Sequence, residues 1–392
     1  MRSVIDDELM ARMLVAATAG AGGDLQPLVS AALALLARGH EMHFLGDASV
    51  GQALGPLGVE CAELPPELDL GPRLSEAVRA AMEASGGDLA TAGIALQHAL
   101  ERWAHDVAVP IKRAAIDQAP DAIVTSLFGV EVLHLVAPSQ PWAVINSTFY
   151  VGSPMQRPAE LDLGPRAIPL ITRYASLLGS ADLVLHASDQ VFDFDFRGLP
   201  DKHHYVGPLG IWEPPSSGPD YLDEPGEPWV LVTISSQLQD DLPLAQAALE
   251  ALADRPVRVL LTIGPDHDPA ELSGVPSNTK VERTVSHAAV LERGALLLSH
   301  AGHGSVMKAL WYGCPMVLVP WGRDQPGVAA RAAALGIAEV VPRDATSAQT
   351  LAAAIDRASA DEEMRIVAKR HSERLRATDP PATAASLIET LL

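Results

Sequence analysis

Cysteine is almost missing from this chain of 392 residues: Cys61 and Cys314 are the only two, and they lie far apart. Two distant cysteines in a large chain make no disulfide framework, so the expected compartment is the cytoplasm. Long apolar runs are missing too. None reaches the ~18 residues that a bilayer span needs, so no transmembrane segment is expected. The opening "MRSVIDDELMAR" carries acids and lacks an apolar h-region, so it does not read as a secretory signal. Positive charge is scarce: 28 Lys and Arg face 49 Asp and Glu, for a formal net charge of −21. Such a surface repels nucleic-acid phosphates and argues against nucleic acid as a partner. A phosphate-bearing small ligand stays open, provided backbone dipoles bind it.

What is abundant is aliphatic: 48% of the residues are hydrophobic, mostly Ala, Leu and Val. The length exceeds one ordinary core and suits two domains. "MLVAAT" (13–18) reads as a buried strand, "AGAGGD" as a glycine turn, "LQPLVSAALALLARGH" as a helix closed by Gly39, and "EMHFLG" as the next strand. This βαβ opening predicts a parallel sheet. "AIVTSL" (122–127) and "WAVIN" (142–146) fit further strands, and 75–118 is mostly helix-forming. The Pro- and Gly-rich stretch 207–228 then interrupts the pattern and reads as a flexible linker. The alternation restarts with "WVLVTISS", "LPLAQAALEALAD" and "VRVLLTIG", and "ALLLSH", "PMVLVP" and "IAEVVP" supply three more apolar segments. The expected plan is an α/β chain: a first Rossmann-like domain over 1–208, a linker over 209–228, a second over 229–378, and a terminal helix over 379–392. Two such domains imply a cleft, and open parallel sheets bind ligands at the carboxyl ends of their strands.

One stretch orders its chemistry along that logic: "SHAGHGSVMKALWYGCPMVLVPWGRDQ", 299–325. A strand delivers a tight turn in which Gly302 and Gly304 let backbone approach a ligand, with His300 and Ser305 beside it. A short helix ending at Gly313 follows. The unpaired amides of a helix start carry about half a positive charge and hold anions such as phosphate. The next strand brings "WGRDQ" to the same end of the sheet, where Asp324 and Gln325 offer acceptors and a donor suited to sugar hydroxyls. A phosphate site beside a hydroxyl site describes a nucleotide-sugar. A lone glycine turn before a helix is common, however, and it is the ordered set that is specific. His300 and His303 could pair on a metal, but no third ligand sits nearby in sequence.

The segment from His300 to Gly336 resembles the donor-binding signature of family 1 glycosyltransferases, roughly H-x-G-x-G-[ST]-x-x-E-A-L-x-x-G-x-P, a strand, then D-Q. The resemblance implies the GT-B architecture of two facing Rossmann-like domains, with bacterial enzymes that decorate antibiotics as the nearest relatives. It implies that His300 contacts the diphosphate, that Gly302, His303, Gly304 and Ser305 form the phosphate turn, and that Trp321, Asp324 and Gln325 meet the donor sugar. Ser235 and Ser236, after "WVLVTI", match a small or hydroxyl-bearing position near the phosphates. "TVSHAAVLE" matches the base-holding segment, with Val285 in place and His287 where glutamine is usual.

Sugar transfer with inversion needs a base on the acceptor side. Many members of that family have Gly-His in the first βα turn, whereas this chain has Gly23-Asp24, similar to the turn of glycopeptide-antibiotic and sterol glycosyltransferases in which the aspartate is the proposed base. Asp24 is the candidate; it could equally cap the helix at Leu25, or do both. Ser126 stands near the position where relatives place an acid that supports a histidine base, and a carboxylate base needs no such partner. Lys308 stands where users of UDP-sugars have a ribose-binding glutamate. Its ammonium has donors only, which implies a preference for dTDP-sugars, unless Lys308 swings into solvent or pairs with a phosphate.

The resulting expectation is an inverting glycosyltransferase with an NDP-hexose as cosubstrate, no metal or other cofactor, and a small apolar natural-product acceptor. The alternatives are a UDP-glucose-dependent sterol or glycolipid glucosyltransferase, an NDP-sugar epimerase or hydrolase, and a non-catalytic partner on the same fold. A homodimer is compatible with the sequence. "VFDFDF" (191–196) reads as an exposed edge or turn. His98, His105, Trp103 and Met82 read as acceptor wall, solvated face or core, and the acceptor itself as a matter for the helices and loops of 60–118 and 156–180.

Overall fold

The computed structural model describes residues 10–17, 22–84, 89–150, 168–194, 197–213, 218–236, 239, 241–265 and 267–392. Part of the first glycine turn (Ala19–Ala21), Asp195 and most of the expected acceptor segment before 168 lie outside the described residues.

The first sheet contains β1 (Arg12–Ala17), β2 (Glu41–Gly46), β3 (Cys61–Glu63), β4 (Ala122–Ser126), β5 (Trp142–Asn146), β6 (Leu183–His186) and β7 (His203–Tyr205). Its spatial order is β3-β2-β1-β4-β5-β6-β7, and every pairing is parallel. Helices α1 (Leu25–Ala37), α2 (Ala48–Leu54), α3 (Leu70–Ala84), α4 (Leu89–Gln118), α5 (Gly129–Val136) and α6 (Ile168–Leu178) accompany it. The second sheet contains β8 (Trp229–Thr233), β9 (Arg258–Thr262), β10 (Thr279–Glu282), β11 (Leu296–Ser299), β12 (Met316–Leu318) and β13 (Ala338–Val340), in the order β10-β9-β8-β11-β12-β13. It too is wholly parallel. Its helices are α7 (Leu242–Leu252), α8 (His287–Leu291), α9 (His303–Tyr312), α10 (Gln325–Ala334), α11 (Ala348–Ala360), α12 (Glu362–Arg376) and α13 (Pro380–Glu389).

The apolar runs in the sequence become strands buried on both faces, as parallel sheets require. In β1, Leu14 and Ala16 face one core cluster while Met13, Val15 and Ala17 face another. In β8, Leu231 joins the first of these, and Val230 and Val232 join a third. The two Rossmann-like units with a cleft between them are the expected α/β architecture. Sequence reading found β2 and β5 at their observed limits but passed over β3, β6 and β10. Those are three or four residues long, two of them at sheet edges with half-polar sequences, "CAE" and "TKVE".

Topology places the site. β1 has β2 on one side and β4 on the other, and β8 has β9 and β11. Each is the strand at which the winding reverses, and a crevice opens at its carboxyl end. The turn after β1 holds Asp24, and the turns after β8 and β11 hold Ser235 and His300.

Two expectations are corrected. The linker is packed at its start, where Leu209 and Gly210 are buried, Leu209 packs in the α1 core cluster and Glu213 is pinned, while 223–228 are exposed. The stretch before Asp195 does turn, but not at an exposed edge, because Phe192 is fully buried and Asp193 nearly so. Asp193 forms a buried ion pair with Arg331 of α10 at 2.6 Å. A buried arginine needs that partner to offset its desolvation. Helix α13 returns to the first unit, where Arg38 and His40 both bond Glu389.

Candidate active site

Asp24 closes a short 3₁₀ turn, Gly22–Asp24, and directly precedes α1. It does not cap that helix through its side chain. Instead the carboxylate turns inward, 4% exposed, and Oδ1 accepts a 2.7 Å hydrogen bond from Ser147 Oγ. Among the described residues Oδ2 is buried without a well-formed hydrogen bond, as is the hydroxyl of Ser126, which still lies near enough to favour the charged carboxylate. Burial pushes the Asp24 carboxyl above its usual range, and the dipoles of Ser126, Ser147 and the Leu127 and Phe128 backbone only partly counter it. An unsatisfied buried carboxylate oxygen is a rare and unstable feature in a fold, so this one calls for a functional reason.

The glycine turn of the second unit faces it. A Cβ placed on Gly304 would stand 3.9 Å from Gly23 Cα. Helix α9 starts at His303 with Gly302 as its N-cap and no side-chain cap, so its first-turn amides carry the open end of the dipole. Gly302 is required by packing: a Cβ there would sit 2.6 Å from His300 Nε2. Ala301, between them, adopts φ 67°, and Arg323, before Asp324, adopts φ 57°. Left-handed non-glycine residues mark strained backbone, and two of the five among the described residues lie in the turns before α9 and α10.

His300 is buried, and its Nδ1 lies 3.3 Å from the carbonyl of Thr233. A carbonyl only accepts, so Nδ1 carries the proton and Nε2 presents a lone pair. Burial lowers the pKa of this ring, with Asp241 and Thr233 pulling the other way. His303 is also buried, but its Nε2 meets Ser188 Oγ of the first unit at 3.1 Å, and burial lowers its pKa to about 4. The two histidines therefore serve different partners. Among the described residues no group of three or more His, Cys, Asp or Glu is arranged to hold a metal, and no helix is long and apolar enough to cross a membrane.

The remaining expected residues gather around the same turns. Thr148 Oγ1, from the first unit, donates to Asp324 Oδ2 at 2.6 Å. Gln325 is buried and holds its own loop: Oε1 accepts from the Trp321 and Gly322 amides, at 2.8 and 2.9 Å, and Nε2 donates to Gln239. The ring of Trp321 lies under the Arg343 guanidinium. Ser235 is buried and Ser236 exposed. Val285 packs against the core, and His287 Nε2 lies 3.1 Å from Thr262 Oγ1, its pKa lowered to about 4 by burial and then by Lys308. Ser305 lies in the first turn of α9.

Lys308 does not swing into solvent: it is 4% exposed and donates to Glu213 Oε1 at 2.6 Å and to Gln26 Oε1 at 2.9 Å. Glu213 Oε1 also accepts from the His287 amide, and Oε2 from Ser286 Oγ and the Ala288 amide. Burial alone would raise the Glu213 pKa, but Lys308 and these donors hold it below the usual value. His98 and His105 are exposed, while Trp103 is core, its indole donating to the Leu68 carbonyl.

Sequence reading missed Asp241, Glu213, Ser147 and Thr148. Asp241 is fully buried, accepts from the Ser235 amide at 2.7 Å, leaves Oδ1 without a partner, and lies close enough to His300 to raise its pKa. Its only signal was "DLP" at a helix start. A cavity of about 880 Å³ lies apart from all of this, lined by Trp229, Leu296, Tyr312 and α12 residues.

Comparison with known proteins agrees with this fold. Residues 246–391 match the family model for the erythromycin biosynthesis protein CIII-like C-terminal domain. The chain is 27% identical over 274 residues to demethyllactenocin mycarosyltransferase of Streptomyces fradiae, covering 65% of this chain and 57% of that protein. So it spans little more than half of that relative's length. It is 26% identical to O-mycaminosyltylonolide 6-deoxyallosyltransferase of the same organism, over 95% of this chain and 96% of that one. The crystal structure of the glycotransferase of kitacinnamycin superposes with a TM-score of 0.76 at 22% identity, covering 98% and 99% of the two chains.

Proposed function

We propose that this chain, a GT-B-fold relative of bacterial natural-product glycosyltransferases, is an inverting glycosyltransferase. It moves a hexose, by preference a deoxyhexose, from a nucleoside diphosphate to a small, largely apolar acceptor. The observation that carries this reading is the buried Asp24 carboxylate, whose Oδ2 makes no well-formed hydrogen bond among the described residues and whose turn packs against the N-terminus of α9.

In the step, the acceptor hydroxyl gives its proton to Asp24 Oδ2. The acceptor oxygen bonds to the anomeric carbon from the face opposite the diphosphate, and the bond from that carbon to the phosphate oxygen breaks. The diphosphate leaves with the electron pair. The first-turn amides of α9 and the Ser305 hydroxyl receive its charge. They are oriented before the reaction starts, which is where fixed dipoles help most. His300 joins them once it takes a proton on Nε2. Burial raises the proton affinity of the Asp24 carboxylate, which strengthens it as a base.

The donor preference rests on Lys308 and Glu213. The four hydrogen bonds to Glu213 fill its acceptor sites, and Lys308 has none. Neither side chain offers a vicinal ribose diol an acceptor, which favours dTDP over UDP. The name of a relative that transfers a 6-deoxyallosyl group is in keeping with a deoxysugar donor. The discriminating measurement is the ratio of kcat/KM for dTDP and UDP donors carrying one sugar; a strong UDP preference overturns the nucleotide assignment. Asp24→Asn tests the reaction itself. Turnover should fall at least ~100-fold, and near-normal turnover removes Asp24 as base.

A further inference from the structure

The loop that leaves β5, Ser147–Tyr150, touches both sides of the cleft with four successive residues. Ser147 Oγ donates to Asp24 Oδ1 at 2.7 Å. Thr148 Oγ1 donates to Asp324 Oδ2 of the second unit at 2.6 Å. The Phe149 ring lies 3.7 Å beneath the guanidinium of Arg331 on α10. The Tyr150 amide donates to Asp193 Oδ2 at 2.8 Å, and Asp193 Oδ1 pairs with that same Arg331. The start of the loop is fixed from below: Asn146 Nδ2 donates to the Thr148 and Phe149 carbonyls and meets His186 Nδ1 at 2.9 Å. Thr148 and Asn146 are buried, and Phe149 is 1% exposed.

From this we infer that Ser147 and Thr148 are positioning residues that set the acceptor-side and sugar-side carboxylates in register across the cleft. The inference rests on the reading of Asp24 as base and of Asp324 as a sugar contact. Adjacent residues of one short loop hold one carboxylate each. Thr148 is the residue next to the one bonded to Asp24, so losing the contact across the cleft loosens the loop that orients the Asp24 carboxylate. Assembly of the donor side is thus coupled to alignment of the base. Arg331, stacked on Phe149 and also facing Phe194 at 4.8 Å, clamps the far end of the loop. Phe194 holds φ 59°, so the clamp is a strained one.

The groups facing Asp24 decide how a pH profile reads. Tyr174 of α6 lies within electrostatic reach of Asp24, with Glu131 of α5 and Arg173 behind it. Ser126 and Ser147 face it directly, and Ser147 favours its charged form.

The experiment compares Thr148→Val, Thr148→Ser and Ser147→Ala in the full chain. Readouts are kcat, the Kd of the nucleoside diphosphate, the pH profile of kcat/KM, and the distance between spin labels on the two units. Thr148→Val should lower kcat about tenfold, the size of one lost hydrogen bond to a charged group, leave the Kd unchanged, and widen the label distances. Thr148→Ser, which keeps the hydroxyl, should restore both. Ser147→Ala should move the acid limb of the profile to higher pH, whereas Thr148→Val should leave that limb in place. Equal behaviour of the Val and Ser variants, or a limb unmoved in Ser147→Ala, overturns the inference. If Thr148→Val fails to fold, the Thr148→Ser distances and the Ser147→Ala limb still decide. The distances need no turnover, so a coupled closure with an active Asp24→Asn would sink the base reading and leave the coupling standing.

Discussion

The two winding-reversal points of this molecule occupy the same place in the same architecture and carry opposite chemistry. After β1 the described residues present a buried acid, Asp24, with one oxygen short of a well-formed hydrogen bond. After β8 and β11 it presents the open N-terminus of α9, a buried imidazole, and two left-handed residues that aim the turns. The first crevice can accept a proton; the second can accept negative charge. Topology chooses where a ligand goes, and a few loop residues choose what happens to it. The difference is energetic as well. The acid is destabilised where it stands, whereas the helix amides have nothing to lose by waiting for an anion.

The comparison can be broken most forcefully at the contact that joins the two crevices. Lys308 bonds Gln26, two residues beyond Asp24, and Glu213 of the connector. Lys308→Met removes one partner of a buried pair, at a cost of about 3 kcal/mol. Chemical denaturation reads it, and unchanged stability would show that the pair does not hold the units together. Lys308→Glu should be worse, since it sets a second carboxylate against Glu213. Gly302→Ala comes next. Its new Cβ would displace the His300 ring and should weaken nucleoside diphosphate binding by about 1–2 kcal/mol, the scale of overpacking; calorimetric titration checks it, and wild-type affinity would show that the ring can move freely.

Smaller is the pH dependence of that affinity. The pKa of His300 is lowered in the free protein, and an arriving diphosphate raises it, so binding takes up a proton. Affinity should therefore strengthen as pH falls towards the ordinary histidine range and lose this gain in His300→Ala. Proton uptake measured in two buffers of different ionisation enthalpy gives the sign directly, and no uptake contradicts it. The smallest effect is on stability. The folded-state pKa of Asp24 is raised, so its contribution is favourable below the unfolded value and is lost as pH rises through the folded one. Asp24→Asn should accordingly raise Tm slightly at neutral pH, and a clear loss of Tm there would mean that the charge is stabilising.

Half of this contrast was legible in the sequence. His300, Gly302, Gly304 and Ser305 are neighbours in the chain, and with Asp324 and Gln325 one strand later they form an ordered set that sequence can show. The long apolar strands were legible because burial on both faces leaves no polar positions. The partners were not. Ser147, Thr148, Glu213 and Arg331 are single residues in unremarkable contexts, Asp193 stood in a stretch that read as an exposed turn, and each acquires a role only when distant segments meet. Asp24 shows the boundary between the two. Its position marked it, yet sequence left a capping role open, and only the inward direction of the side chain shows that it makes no cap bond.

The central claim is that the two crevices divide the work, and one paired measurement tests it most directly: kcat and nucleoside diphosphate Kd for Asp24→Asn beside His300→Ala. The account predicts that Asp24→Asn loses at least ~100-fold in turnover at wild-type affinity, while His300→Ala loses affinity and rate together. Turnover retained by Asp24→Asn, or affinity lost equally in both variants, would contradict it.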